Sequence, residues 1–118
     1  MSLTTTVQLR DQYIHIVVAG YYVAGSYLQL GDVVAQESER HQCNKVVLDL
    51  SNVTGTISNM DRFAAGVYAS QIWKASLRTA VVVRPEEIDS FFENTAYNRG
   101  VQTVVVTTVG EANSWLGV

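Results

Sequence analysis

The residues able to do chemistry are few and scattered. His41 and Cys43 form one close pair of metal-ligating types, at H-x-C spacing, and no second pair follows to complete a zinc site. Cys43 precedes a strand rather than opening a helix, so nothing in the sequence activates its thiol, and it reads as a small buried residue after a surface helix end. His15 falls within an alternating run, the place of a sheet residue rather than of a general base. Gly20 and Gly25 stand five apart, but Ser26-Tyr27 follows where a phosphate loop needs Lys and then Ser or Thr. Neither Gly-x-Gly-x-x-Gly nor Gly-x-Ser-x-Gly occurs. Glu86, Glu87, Asp89 and Glu93 cluster at the start of a short helix, where they complement its dipole and read as a solvated face. No catalytic group, metal or cofactor is expected, and the chain reads as a non-enzyme.

The elements that carry these residues follow from periodicity. Thr5, Val7 and Leu9 alternate with Thr6, Gln8 and Arg10, a half-buried strand, and Arg10-Asp11-Gln12 turns into a second one over Tyr13 to Ala19. Ile14, Ile16 and Val18 share one face of it, Tyr13, His15 and Val17 the other. Ser26 with Gln29 has capping-box spacing, and Tyr27, Leu30, Val33 and Val34 continue as a helix to about His41. Lys45 to Leu50 is the third strand, followed by a loop over Ser51 to Ile57. Ser58 then N-caps a second helix, with Asp61 three residues on. Its stripe of Met60, Phe63, Ala64, Val67, Tyr68 and Ile72 is the expected core face. Thr79 to Val83 is apolar throughout, as suits a central strand covered on both sides. Ile88, Phe91, Phe92 and Ala96 define a third short helix, with Gly100 where a left-handed C-cap is wanted. A fifth strand, Val101 to Thr107, leads through the capping-box pair Thr108 and Glu111 into a last helix bearing Ala112, Trp115 and Leu116.

The order ββαβαβαβα implies an α/β fold with right-handed crossovers: a mixed, mostly parallel sheet of five strands with four helices, the first hairpin forming its antiparallel edge. Residues 1–118 read as one domain. In such sheets ligands and partners gather at the carboxyl ends of the strands, here Ser51 and Asn52, Arg84, and Thr107 and Thr108. Tyr21, Tyr22 and Tyr27 crowd the connection into the first helix, and Phe91 and Phe92 stand side by side on the third. These five are the candidates to line a site for a small apolar molecule or lipid.

Composition narrows the partners. The chain has 118 residues, 47% of them hydrophobic and 16% charged, too apolar for a disordered segment and enough for a buried core. Its formal net charge of -3 and the lack of a basic run exclude a phosphate-backbone reader, so no nucleic acid is expected. One cysteine cannot form an internal disulfide, which fits a reducing compartment. Met1 to Gln12 lacks the basic and apolar regions of a signal peptide. Gln12 to Gly31 carries no Asp, Glu, Lys or Arg, but His15, Gly20, Gly25, Ser26 and Gln29 interrupt it and no basic cluster flanks it. A cytoplasmic protein, not an integral membrane one, is expected.

Val47-Leu48-Asp49-Leu50-Ser51-Asn52-Val53-Thr54 and the helix after it resemble the STAS family, named for sulfate transporters and anti-sigma-factor antagonists. In the bacterial antagonists a strand ending in Asp-Leu precedes an Asp-Ser-Ser-Gly turn whose first serine a partner kinase phosphorylates. An ungapped register sets Ile57, Ser58, Asn59 and Met60 at those four positions, so only the serine is shared. Asp61-Arg62, Asn98-Arg99-Gly100, Glu111-Ala112 and Trp115-Leu116 resemble the divergent SpoIIAA-like branch, some members of which are linked to lipid-binding domains of the Sec14 type. The resemblance implies a regulatory protein-interaction module, a signalling switch with Ser58 as phosphoacceptor and Ser51, Asn59, Asp61, Arg62 and Arg84 on the partner surface. A protein partner, a second copy of the chain forming a homodimer, and a small apolar ligand are the partners it implies.

Overall fold

The computed structural model describes residues 3–118. Alternation builds the first hairpin. β1 (Leu3–Leu9) pairs antiparallel with β2 (Ile14–Tyr21), Leu3 opposite Gly20 and Leu9 opposite Ile14. Ile14, Ile16 and Val18 share the buried face. From there every pairing is parallel: β2 with β3 (Lys45–Thr54), β3 with β4 (Arg78–Val82), and β4 with β5 (Gln102–Val106). The strands lie in the sheet in chain order. Right-handed crossovers that all step in one direction put their helices on one face. Accordingly α1 (Tyr27–His41), α2 (Asn59–Ile72) and α3 (Phe91–Tyr97) cover the larger core, with Leu30, Val34, Ala69 and Ala96 packed over Ile16, Leu48 and Val81. Only α4 (Val109–Leu116) crosses the other face, where Ala112 and Leu116 meet Val47, Ala80 and Val82. The α/β fold, the antiparallel edge and the four helices agree with the sequence reading.

Four local expectations are corrected. β3 runs on to Thr54, so Ser51 and Asn52 belong to a strand and not to a loop; a register shift between Val17 and Ala19 lets the pairing with β2 continue, Ala19 opposite Asn52. The Ser26–Gln29 box does not form. Ser26 has helical angles, its hydroxyl accepts the N–H of Val23 at 3.3 Å, and Gln29 donates to the carbonyl of Leu3 at 3.2 Å. The expected core stripe of α2 is turned: Met60 is 80% exposed and Phe63 46%, while Gly66 and Ala69 are buried. The reason is the close approach of α3, since a Cβ on Gly66 would lie 2.7 Å from Thr95. A helix meets its neighbour at that range only through small residues. Finally, Ile88 lies outside α3, exposed beyond a 3-10 turn at Pro85–Glu87.

Gly100 has φ +85°, the left-handed conformation expected of it. The outer edge of β5 is partly covered: Glu93 on α3 accepts the N–H of Val105 at 2.8 Å. On the far face Arg78 stacks over Trp115 at 4.4 Å and donates to its carbonyl at 2.7 Å, tying α4 to the start of β4.

Candidate functional site

The carboxyl ends of β2, β3 and β4 meet around the start of α2. Tyr21 pairs with Thr54, and the N–H of Tyr22 donates to Thr54 at 2.9 Å. Gly55 then turns the chain with φ +89°, where a Cβ would meet the Tyr21 ring and the Tyr22 carbonyl at 3.3 Å. This turn presents Ser58, exposed and extended, as the N-cap of α2; its Oγ accepts the N–H of Asp61 at 3.1 Å. The Asp61 carboxylate does not return to Ser58. Its Oδ2 accepts the Tyr22 hydroxyl at 2.7 Å and the Gly25 N–H at 3.0 Å, holding the entry to α1 against α2. Burial of Tyr22, then its hydrogen bond to Asp61, pushes the phenol well above its ordinary value.

Arg62 is next. It reaches Glu87 at 3.1 Å, Asp89 at 3.5 Å and the side-chain oxygen of Asn59 at 3.3 Å. Arg84 lies 3.6 Å from Glu86 and 3.9 Å from Glu87, and donates to the Gly55 carbonyl at 3.4 Å. Asn59, Asp61, Arg62 and Arg84 therefore gather around the Ser58 turn. Ser51 does not: its hydroxyl donates to Asp49 at 2.6 Å, and His15 stands 3.3 Å from the other oxygen of that carboxylate. Of the acidic cluster expected to be a solvated face, Glu86 is exposed and the other three are not free. Glu87 and Asp89 clasp Arg62, and Glu93 is spent on Val105.

Beneath the turn, α1, α2, α3 and the sheet enclose an apolar cavity of about 100 Å³, lined by Leu30, Leu48, Leu50, Ala69 and Val81 among others. Tyr22, Tyr27 and Phe92 line it as well; Tyr21, 60% exposed, and Phe91, 43% exposed, stand outside. Trp73 joins them, its ring edge-on to Phe92 with centroids 6.4 Å apart and its indole N–H donating to the Gly31 carbonyl at 3.0 Å. Asp61, Arg62, Glu87 and Asp89 are the charged members of the lining.

Sequence reasoning missed two groups. Met60 and Phe63 read as core because their spacing fits a helical stripe, yet they are exposed beside Ser58; the pair of small residues Gly66 and Ala69 was the signal that another face is buried. Glu87 and Asp89 act as partners of Arg62 across 25 residues or more of chain, which no local pattern reports. Among the described residues no three His, Cys, Asp or Glu side chains converge as a metal site, and no helix is long and apolar enough to cross a membrane.

The fold defined by this sheet and these helices is that of the anti-sigma-factor antagonists, the STAS or SpoIIAA-like fold. No family model and no curated protein matches the chain. Among solved structures, an anti-sigma factor antagonist from Mycobacterium paratuberculosis superposes with a TM-score of 0.68 at 16% identity, over 99% of this chain and 96% of that one. A Thermotoga maritima protein described as an anti-sigma factor antagonist gives 0.61 at 18% identity, over 97% and 95%. An uncharacterized protein of the DUF3478 family from Shewanella loihica, with a SpoIIAA-like fold, gives 0.56 at 13% identity, over 98% and 93%.

Proposed function

We propose that residues 1–118 act as one STAS-type domain, a non-enzymatic cytoplasmic module that regulates a protein partner by docking it at the Ser58 turn. The observation that carries this reading is the exposed apolar pair Met60 and Phe63 directly after an exposed serine at a helix N-terminus. Large exposed side chains beside a polar rim are what a docking surface offers, and Asn59, Arg62 and Arg84 supply that rim. The likeness to anti-sigma-factor antagonists supports the class of function.

Ser58 is the proposed phosphoacceptor. A phosphate there adds about two negative charges at the N-terminus of α2, which the helix dipole favours. Asp61 keeps its charge in the first turn but turns its carboxylate to Tyr22 and Gly25 and only its N–H to the Ser58 oxygen. Modification thus changes the charge of the docking surface and leaves the fold alone. The test is affinity capture from the native cell with wild type, Ser58→Glu and the double variant Met60→Asp, Phe63→Asp, read by mass spectrometry together with the phosphorylation state of Ser58. The reading expects a protein retained by wild type and lost from the double variant, with Ser58→Glu altering its recovery. Identical retention by all three, with no phosphate on Ser58, overturns it.

A further inference from the structure

The apolar cavity beneath the Ser58 turn has no part in the docking of a protein partner. Its volume, about 100 Å³, is about two thirds of an engineered cavity of about 150 Å³ known to admit benzene, so it holds at most one ring and not the acyl chain of a lipid. Its walls are aliphatic and aromatic, and Tyr27, Trp73 and Phe92 contribute rings. Its charged residues stand at its edge and are unbalanced: Asp61, held by Tyr22 and Gly25, and Glu87 and Asp89, which share the single guanidinium of Arg62. Counting Arg84, 3.9 Å from Glu87, the carboxylates still outnumber the cations. An anionic ligand such as a fatty acid meets net repulsion at that edge, whereas a cation meets carboxylates that Arg62 alone neutralises.

We propose that this cavity binds a small organic amine, its apolar body of about one ring among Leu30, Ala69 and Phe92 and its ammonium at the mouth beside Asp89 and Glu87. Arg62 now supplies the positive charge at that mouth, bonded to Glu87, Asp89 and Asn59, and the ammonium competes with it for Asp89. The ammonium takes its place next to Asp89, whose side chain at 32% exposure opens to solvent and marks the entry. This inference does not rest on the docking of a partner; it needs only the cavity and its charge.

The molecule carries its own reporters. Trp73 lines the cavity, while Trp115 lies on the far face of the sheet under Arg78. Titration of the ¹⁵N-labelled chain with benzylamine, benzyl alcohol and benzoate, three probes of one size and different charge, reads both indole N–H signals. Benzylamine is expected to shift the Trp73 signal saturably and leave Trp115 still, binding about 10-fold tighter than benzyl alcohol, while benzoate gives no saturable shift. Ala65→Leu, which fills the cavity from α2, is expected to abolish binding. Asp89→Asn, which keeps an oxygen to accept the Phe91 N–H and removes only the charge, is expected to cut the preference for amine over alcohol to about 3-fold or less. Benzoate binding as tightly as benzylamine, an unchanged preference in Asp89→Asn, or a Trp73 signal unmoved at about 20 mM benzylamine overturns the proposal. None of these outcomes bears on the capture of a protein partner.

Discussion

α2 and α4 open with the same sequence device, a hydroxyl residue followed three positions later by an acid, and the two devices end differently. At α4 the motif closes on itself. Thr108 accepts the N–H of Glu111 at 3.1 Å, and Glu111 accepts the N–H of Thr107 at 3.2 Å and the hydroxyls of Thr107 and Thr108 at 3.1 and 3.3 Å. At α2 only half of the motif closes: Ser58 caps Asp61, but Asp61 reaches across to Tyr22 and Gly25. One acid serves its own helix in water, the other fastens two helices together under cover. The lesson is that even where the hydroxyl caps, as it does at these two helices and not at Ser26, the acid's bond does not follow from the signature, because its carboxylate is free to find a tertiary partner.

The sharpest break in that comparison is removal of the acids. Asp61→Ala strands the buried Tyr22 hydroxyl and the Gly25 N–H, and is expected to cost about 2–4 kcal/mol in urea unfolding. Glu111→Ala strands only groups that water reaches, and its loss is expected to be much the smaller of the two. An equal loss at both sites would erase the distinction. Tyr22→Phe comes next, at about 1 kcal/mol near neutral pH. Tyr22 holds its proton more tightly folded than unfolded, so its contribution is complete below the ordinary phenol value of about 10 and fades as pH rises above it. The wild-type chain is therefore expected to lose stability there more steeply than Tyr22→Phe, measured by thermal melts across that range.

Removing the hydroxyls should make the helices alike. Ser58→Ala and Thr108→Ala each forfeit one N-cap bond and are expected to cost about 1 kcal/mol apiece. The smallest effect belongs to acid titration at α4. The N–H and hydroxyl of Thr107, with Thr108, hold the Glu111 carboxyl below its usual range. Its contribution is present above the ordinary glutamate value of about 4.3 and lost as pH falls through the folded one, so Glu111→Gln is expected to flatten the acid limb of the stability curve slightly.

Much of the architecture was legible because period and punctuation are local. The hairpin could be read from Ile14, Ile16 and Val18, the parallel centre from the unbroken Thr79 to Val83, and the end of α3 from Gly100. What failed was decided between elements. The turned face of α2 depends on how near α3 comes to Gly66, and the extension of β3 through Asn52 depends on a register shift in β2. At the site, Ser58, Asn59, Asp61, Arg62 and Arg84 were singled out and do come together, whereas Ser51 is claimed by Asp49. The roles of Glu87, Asp89 and Trp73 were illegible because each depends on a contact far along the chain.

The single bond from the Val105 amide to Glu93 has a dynamic meaning. This amide sits on the outer edge of the sheet, where its proton would trade with solvent freely if α3 lifted away. Deuterium uptake at Val105 thus gauges the undocking of α3, the fraction of time for which one short helix lets go of the sheet and carries Phe92 away from Trp73.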